Sequence, residues 1–290
     1  MTNKGISEVV NDLVGKAIEA TLWGAVAGSL LLTGSHCYDV LKHRPRVNNY
    51  AQELDERRVA PADSPETYAV VVGNMHGNGE VFARWIENQG ISENNTYILR
   101  NGGSILERDG HLTPENIDAT FKHLKDKVDD NDTVIFYAAA HGSVEARPSG
   151  TSHKMDIPER KLSSDQIEDY FSNMKEGQGM IMLQSCYAAT AENDLNSLSN
   201  IDRVYASRSH EPSWTLPGPR IASVTQSVAR AYYNLENDSD GDGKLSLEDA
   251  VDAVRQDYAK TDGGGFYSGT LYDTVPQYRG PGTLEFSMQE

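Results

Sequence analysis

Short runs of apolar residues alternate with amphipathic stretches along most of the chain. Five apolar runs predict β-strands, at residues 67–74, 96–100, 133–140, 179–185 and 203–208. Three amphipathic stretches between them predict helices, at residues 79–90, 113–128 and 163–175. Continuous apolar strands separated by helices are typical of a parallel sheet that is covered on both faces. The pattern therefore predicts an α/β fold with a mostly parallel sheet.

Two of the predicted helices carry start signals in the sequence. Thr113 precedes Pro114 and Glu115, which is the order of an N-cap followed by a proline and an acidic residue in the first turn. Ser163 is followed three residues later by Gln166, and this spacing allows a capping box. Both signals predict where the chain enters a helix.

The first 60 residues have a helical pattern of their own and end in a charged, proline-containing linker, "QELDERRVAPADSPE". We therefore predict a helical N-terminal extension at 1–60 and a main domain at 61–290. Residues 20–33 form an uncharged run that is shorter than the ~20 residues needed to span a bilayer. A buried or partner-facing helix is favoured there, while a signal peptide or a membrane anchor stays possible.

The charge balance narrows the choice of partners. The chain has 26 Lys and Arg against 43 Asp and Glu, so its net charge is −17. A surface this acidic repels phosphate backbones, and nucleic acid is therefore not an expected partner. The two cysteines, Cys37 and Cys186, cannot form a disulfide framework. They leave the compartment open, with the cytoplasm slightly favoured over a secreted or membrane-anchored location.

Reactive side chains follow two of the predicted strands. His141 and Gly142 come directly after "VIFYAAA", and Cys186 follows "MIMLQS". Either residue alone is more often a loop histidine or a small buried thiol. Chemistry in a parallel sheet is expected just past the carboxyl ends of its strands, and a thiol there needs a base or cation to become a thiolate. The two strand ends together predict a Cys-His dyad.

A calcium loop is predicted near the C-terminus, in "DSDGDGKLSLED" at residues 238–249. Gly243 occupies the position of the sharp turn, and a helical pattern follows the loop as an exiting helix should. The predicted ligands at loop positions 1, 3, 5, 7, 9 and 12 are Asp238, Asp240, Asp242, Lys244 through its carbonyl, Ser246 and Asp249. An acidic solvated turn is the alternative. Calcium bound here is expected to be structural.

Several segments resemble the legumain (asparaginyl endopeptidase) family, in the caspase and legumain clan of cysteine peptidases. "NDTVIFYAAAHGS" resembles the family's His-Gly-Ser block, and "GMIMLQSCYAAT" resembles its nucleophile block. "AVVVGN", "DGHLTPENIDATFKHL" and "VYASRSHEPSW" are similar to its first strand, its Thr-Pro segment and the strand that follows the nucleophile. The resemblance covers roughly residues 67–215.

The resemblance implies a caspase-like three-layer α/β/α sandwich and a cysteine endopeptidase acting on peptides or proteins without a catalytic cofactor. Cys186 would be the nucleophile, His141 the general base and acid, and the N–H groups of Gly142 and Cys186 the oxyanion donors. Two alternatives stay open. One is a transamidase or peptide ligase with the same acyl-enzyme, and the other is a catalytically inactive calcium-binding scaffold.

The predicted substrate pocket departs from the family. Gln184 stands where legumain-like enzymes carry an acid, two residues before the nucleophile. An amide both donates and accepts hydrogen bonds, so cleavage after Asn or Asp is expected. Ser213 matches a serine that lines the family's pocket. Asn74 is a candidate substrate-binding residue that is expected to orient the histidine or to donate to the oxyanion, and a plain turn role is the alternative.

Overall fold

The structure is a computed structural model of the 290-residue chain. The residues that it describes are 50–56, 65–73, 78–100, 110–148, 150–175, 177–210, 228, 231, 238, 245–261, 277–281 and 285–286. Its strands are β1 (Thr67–Gly73), β2 (Thr96–Arg100), β3 (Gly110–His111), β4 (Thr133–Ala139), β5 (Gly142–Arg147), β6 (Gly150–Asp156), β7 (Lys161–Ser163), β8 (Gln178–Gln184), β9 (Ile201–Tyr205), β10 (Leu245–Ser246), β11 (Gln277–Arg279) and β12 (Glu285–Phe286). Its helices are α1 (Tyr50–Glu56), α2 (Asn78–Asn88), α3 (Pro114–Lys125), α4 (Ser164–Ser172), α5 (Glu192–Leu195) and α6 (Leu247–Thr261).

A seven-stranded sheet forms the middle layer, in the order β11-β9-β8-β4-β1-β2-β3. Every pair in it is parallel except the one between β9 and the edge strand β11. Strand β4 lies between β1 and β8, and all seven of its residues are paired with both neighbours. The mostly parallel sheet is the arrangement that the apolar strand pattern predicts.

Helices cover both faces of this sheet. On one face, α1, α3, α4 and α5 pack against alternate strand residues, which include Val70, Phe136 and Leu183. On the other face, α2 and α6 pack against the intervening residues, which include Tyr137 and Met182. Because successive side chains of a strand point to opposite faces, each central strand contributes to both layers of the core. The α/β/α sandwich predicted from the sequence is therefore confirmed.

The predicted strands and helix starts agree with local contacts. Thr113 Oγ1 accepts the N–H of Asn116 at 3.2 Å, so Thr113 caps α3 as expected. At the start of α4, Gln166 Oε1 accepts the N–H of Ser163 at 3.1 Å, and the capping box is present. Strand β9 differs most from its predicted range of 203–208. It starts and ends earlier, because residues 206 and 207 bend to follow the turn after β8.

Helix α1 is the described part of the predicted N-terminal extension. Its Tyr50 and Leu54 are buried in the same cluster as α3, and the Tyr50 hydroxyl lies 3.0 Å from Thr120 Oγ1. The uncharged run at 20–33 lies outside the described residues. Within the part of the chain that is described, no helix is long and apolar enough to cross a membrane. The boundary at residue 60 stays a prediction.

A second, smaller sheet interrupts the helix and strand alternation after β4. Strands β5, β6 and β7 pair antiparallel in the order of the chain, and β5 begins at Gly142, directly after His141. The sequence patterns did not predict this sheet. Its importance lies in its position, because it brings residues 142–156 against the carboxyl end of β8.

Candidate active site

The carboxyl ends of β4 and β8 lie side by side. Ala139 pairs with Gln184 in the parallel register, and the N–H of Ala140 donates to the carbonyl of Gln184 at 3.3 Å. His141 and Cys186 each follow this pair by two residues, so they occupy matching positions beyond adjacent strands. His141 is exposed, and Cys186 is half-buried with a reduced thiol. This placement is what a Cys-His dyad requires, and the dyad itself stays a prediction.

The chain turns sharply after Cys186. Tyr187 has φ 58° and ψ 24°, a left-handed conformation that costs an L-residue about 1–2 kcal/mol. A short 3₁₀ helix, Ala188–Ala191, follows directly. A strained residue beside a reactive side chain is common where surrounding contacts fix the direction of a functional group. The segment 185–188 is called the nucleophile turn below.

Residues after β9 hold one side of the nucleophile turn. The buried Ser207 hydroxyl donates to the carbonyl of Ser185 at 3.1 Å and accepts the N–H of Ala188 at 3.0 Å. The carbonyl of Ser207 accepts the N–H of Ala189 at 3.0 Å. One serine thus bridges the residue before Cys186 and the residue after Tyr187.

A histidine that the sequence patterns did not single out holds the other side. His153, on β6, is fully buried, and its Nε2 lies 3.0 Å from the carbonyl oxygen of Cys186 and 3.0 Å from Ser185 Oγ. Burial lowers the pKa of His153 to about 4, against the opposing effects of its bond to the Cys186 carbonyl and of the nearby Asp194 carboxylate. The imidazole is therefore neutral at ordinary pH.

Gly142 lies directly against the backbone of Cys186. A Cβ atom on Gly142 would overlap the carbonyl oxygen of Cys186 and would lie 3.0 Å from its nitrogen and 2.9 Å from His153 Nε2. Only glycine allows this close approach. The N–H of Asp156 donates to the carbonyl of His141 at 2.8 Å, so Gly142 and Met155 form a non-hydrogen-bonded pair of the hairpin. The Gly142 N–H accordingly points away from β6.

A half-buried carboxylate connects the hairpin to the helix after the nucleophile turn. Asp194 Oδ2, on α5, accepts the hydroxyl of Ser152 at 2.9 Å and the hydroxyl of Ser164. The N–H of His153 donates to Ser164 Oγ at 3.1 Å. These bonds connect β6, α4 and α5 around the imidazole of His153.

An ion pair fixes the same helix to the sheet. Arg203 on β9, with a side chain only 8% exposed, donates through Nε to Glu192 Oε2 at 3.1 Å. The hydroxyl of Tyr205 donates to the same carboxylate oxygen at 2.7 Å. Helix α5 is therefore attached to both β6 and β9, and the nucleophile turn lies between these attachments.

The predicted pocket residues are only partly described. Gln184 is buried at the end of β8. It occupies the same face of the strand as Met180 and Met182, because it follows them by four and two residues. Asn74 and Ser213 lie outside the described residues. The roles of Gln184, Asn74 and Ser213 in substrate binding stay predictions.

The described part of the calcium loop shows how its exiting helix starts. Ser246 Oγ accepts the N–H of Asp249 at 3.1 Å, and Asp249 Oδ2 accepts the N–H of Ser246 at 3.1 Å and its hydroxyl at 2.7 Å. This reciprocal pair is a capping box for α6. Asp238 is half-buried, whereas Asp240, Asp242 and Lys244 lie outside the described residues. Among the described residues, no group of three His, Cys, Asp or Glu could hold a metal.

Comparison with known proteins finds one matching family model and similar solved structures. The family model described as Peptidase C13 family matches residues 111–272, which is more than half of the chain. This match starts later than the resemblance at 67–215 and continues through the predicted calcium loop. The crystal structure of protein GSU0716 from Geobacter sulfurreducens is similar, with 12% identity and a TM-score of 0.49 over 74% of this chain and 93% of that chain. None of the curated proteins matches this chain.

Proposed function

Because the chain belongs to the peptidase C13 (legumain) family, we propose that it is a cysteine endopeptidase in which Cys186 and His141 form the catalytic dyad. The family implies peptide or protein substrates. The observation that carries the proposal is the matched position of His141 and Cys186 beyond the adjacent strands β4 and β8. The close contact of Gly142 with the Cys186 backbone supports the same assignment, because it brings the segment that follows His141 next to the segment that carries the thiol.

The proposed reaction starts with a proton transfer from the Cys186 thiol to His141. The thiolate adds to the carbonyl carbon of the scissile peptide bond, and the oxygen becomes negatively charged. The N–H groups of Gly142 and Cys186 donate to this oxyanion, and removal of one such donor costs about 3–4 kcal/mol of transition-state stabilisation in comparable sites. The His141 imidazolium then protonates the leaving amine as the C–N bond breaks.

The second half of the reaction separates a peptidase from a ligase. A thioester between Cys186 and the acyl part of the substrate remains after the amine leaves. Water adds to it in a peptidase, and a second peptide's amine adds to it in a transamidase, with His141 accepting the proton in either case. The C–S bond then breaks, and the Cys186 thiolate leaves and takes the proton back from His141. We propose hydrolysis as the principal reaction and transamidation as the alternative.

We propose cleavage after Asn or Asp, with Gln184 as a residue that contacts the side chain before the scissile bond. The amide group of Gln184 can donate to an Asn carbonyl or to an Asp carboxylate, and it carries no charge to repel the latter. Gln184 lies two residues before Cys186 at the end of β8, and Asn74 and Ser213 are its proposed partners in the pocket.

The experiment that tests this proposal is a set of fluorogenic peptides that differ only in the residue before the cut. Cys186→Ala is expected to abolish cleavage, and Cys37→Ala is the matched control because it removes the only other thiol. Equal loss in both variants would contradict the dyad. Adding an amine-terminated peptide and measuring ligated product by mass spectrometry distinguishes the ligase. Absence of both products in the wild type would favour the inactive scaffold.

We also propose that the loop 238–249 binds a structural calcium ion. The predicted ligands are carboxylate, hydroxyl and carbonyl oxygens, which calcium prefers. The capping box of Ser246 and Asp249 supports the proposal, because it starts α6 at the position of an exiting helix. Adding chelator should lower the melting temperature of the wild type. The double variant Asp240→Asn, Asp242→Asn should melt at one temperature with or without calcium, and a wild type unaffected by chelator would contradict the site.

A further inference from the structure

His153 has a proton position that its surroundings determine. Its Nε2 lies 3.0 Å from the carbonyl oxygen of Cys186, which can only accept a hydrogen bond. Its Nδ1 is buried and has no hydrogen-bond partner among the described residues. A proton on Nδ1 would leave a buried donor without an acceptor. It would also leave Nε2 unprotonated, so that its lone pair would face and repel the carbonyl oxygen. We therefore assign the proton to Nε2, which donates to Cys186.

The charges around His153 do not require a charged imidazole. Asp194 is the carboxylate that acts on it, and that group already accepts the hydroxyls of Ser152 and Ser164. Among the described residues, the hydrogen-bonding contacts of the ring are the hydroxyl of Ser185 and the carbonyl of Cys186, which are uncharged. His153 is consequently a neutral hydrogen-bond donor and is not a second base for the thiol.

The bond from His153 restrains the peptide unit that joins Cys186 to Tyr187. This unit enters the left-handed conformation of Tyr187, and from the same hairpin side Gly142 lies close to both the carbonyl oxygen and the nitrogen of Cys186. The same bond limits rotation about the Cα–C bond of Cys186, and this rotation sets how the Cys186 side chain and N–H group are oriented relative to the turn that follows. Within the described part of the chain, the hydrogen bond from His153 Nε2 opposes that rotation from the hairpin side.

We propose that His153 is a positioning residue of the nucleophile turn, which fixes the Cys186 carbonyl through Nε2–H and thereby holds the backbone conformation of Cys186 from which its thiol reaches the substrate carbonyl. This inference rests on the proposed function. It adds to the dyad a residue from β6, 33 positions before the cysteine in the chain. The reaction step that this positioning assists is the attack of Cys186 on the carbonyl carbon of the scissile peptide bond.

The test compares variants that differ in the atom at the Nε2 position, all in a Cys37→Ala background. His153→Leu removes the donor, and kcat is expected to fall about 10- to 100-fold with KM nearly unchanged. His153→Gln can place an amide N–H near Nε2, and its loss is expected to stay below about tenfold. His153→Asn has the same chemistry but does not reach that point, so it should behave like His153→Leu. His123→Leu, on α3, is the control for removing a histidine elsewhere.

A second measurement separates positioning from thiol activation. The rate of Cys186 alkylation by iodoacetamide at neutral pH reports the reactivity of the thiol without any substrate. His141→Ala is expected to slow this alkylation because it removes the proposed partner of the thiolate, whereas His153→Leu is expected to leave its rate unchanged.

Two results would overturn the inference. One is an unchanged kcat in both His153→Leu and His153→Asn. The other is an alkylation rate of Cys186 that falls as far in His153→Leu as in His141→Ala, because His153 would then act as the partner of the thiolate. Activity retained by Cys186→Ala contradicts the proposed function instead, so the two failures are distinguishable.

Discussion

The pH dependence of stability tests the burial of His153. At a pH below the ordinary pKa of histidine, the imidazole takes up a proton when the protein unfolds and exposes it. Burial lowers the pKa of His153 from 6.5 to about 4. Between these two values the unfolded chain binds a proton that the folded protein does not bind, so stability is lost as the pH falls. Each pKa unit corresponds to about 1.4 kcal/mol, which predicts a total loss of about 3 kcal/mol. The contribution is fully present above pH 6.5, and it changes no further once the pH falls below about 4.

The assay is urea unfolding at a series of pH values across this interval, with wild type and His153→Gln side by side. Other titrating groups are common to both proteins, so their contributions cancel in the difference between the two unfolding free energies. The advantage of the wild type at neutral pH should shrink by about 3 kcal/mol toward pH 4. A difference that is constant with pH would refute the reasoning, because it would mean that His153 takes up its proton in the folded protein as readily as in the unfolded chain.

Three further changes have defined outcomes. Gly142→Ala should lower kcat/KM at least about 100-fold, because the added methyl group displaces the Cys186 backbone; unchanged kinetics would contradict the close approach. The unfolding free energy of Tyr187→Gly should exceed that of Tyr187→Val by about 1–2 kcal/mol, since only glycine accepts the left-handed turn without strain. Denaturant titration of both variants measures this difference, and a valine variant of equal stability would count against the prediction. Ser246→Ala should cost about 1 kcal/mol of unfolding free energy in chelator, through loss of the α6 cap; a loss seen only with calcium would assign the hydroxyl to the ion.

The elements that could be predicted from sequence depend on local signals. Strands β1, β2, β4 and β8 have apolar centres, and their bounds differ from the predicted ranges by at most one residue at either end. The starts of α3 and α4 depend on contacts within four residues, which a reader of the sequence can recognise. The matched ends of β4 and β8 follow from the parallel register once the strands are known.

The hairpin could not be predicted in the same way. Its strands carry charged and small side chains, such as Glu145, Arg147 and Lys154, and Val144 is the large apolar residue that it exposes. The one available signal is the proline and glycine at positions 148 and 150 between two alternating segments. The burial of His153 depends on contacts with residues more than 30 positions later, and such contacts leave no periodic pattern in a single sequence.

The nucleophile turn is held by residues that are distant in sequence, and this has a consequence for the direction of Cys186. Ser207 bonds both ends of the turn from the β9 side, and His153 and Gly142 contact its centre from the hairpin side. The left-handed Tyr187 costs free energy, so these contacts must outweigh its tendency to relax. Loss of either side should therefore let the turn relax toward ordinary backbone conformations while the sheet below stays folded. The orientation of Cys186 is consequently less stable than strand β8, which precedes it. It depends on Ser207 and His153, which lie outside both catalytic sequence blocks.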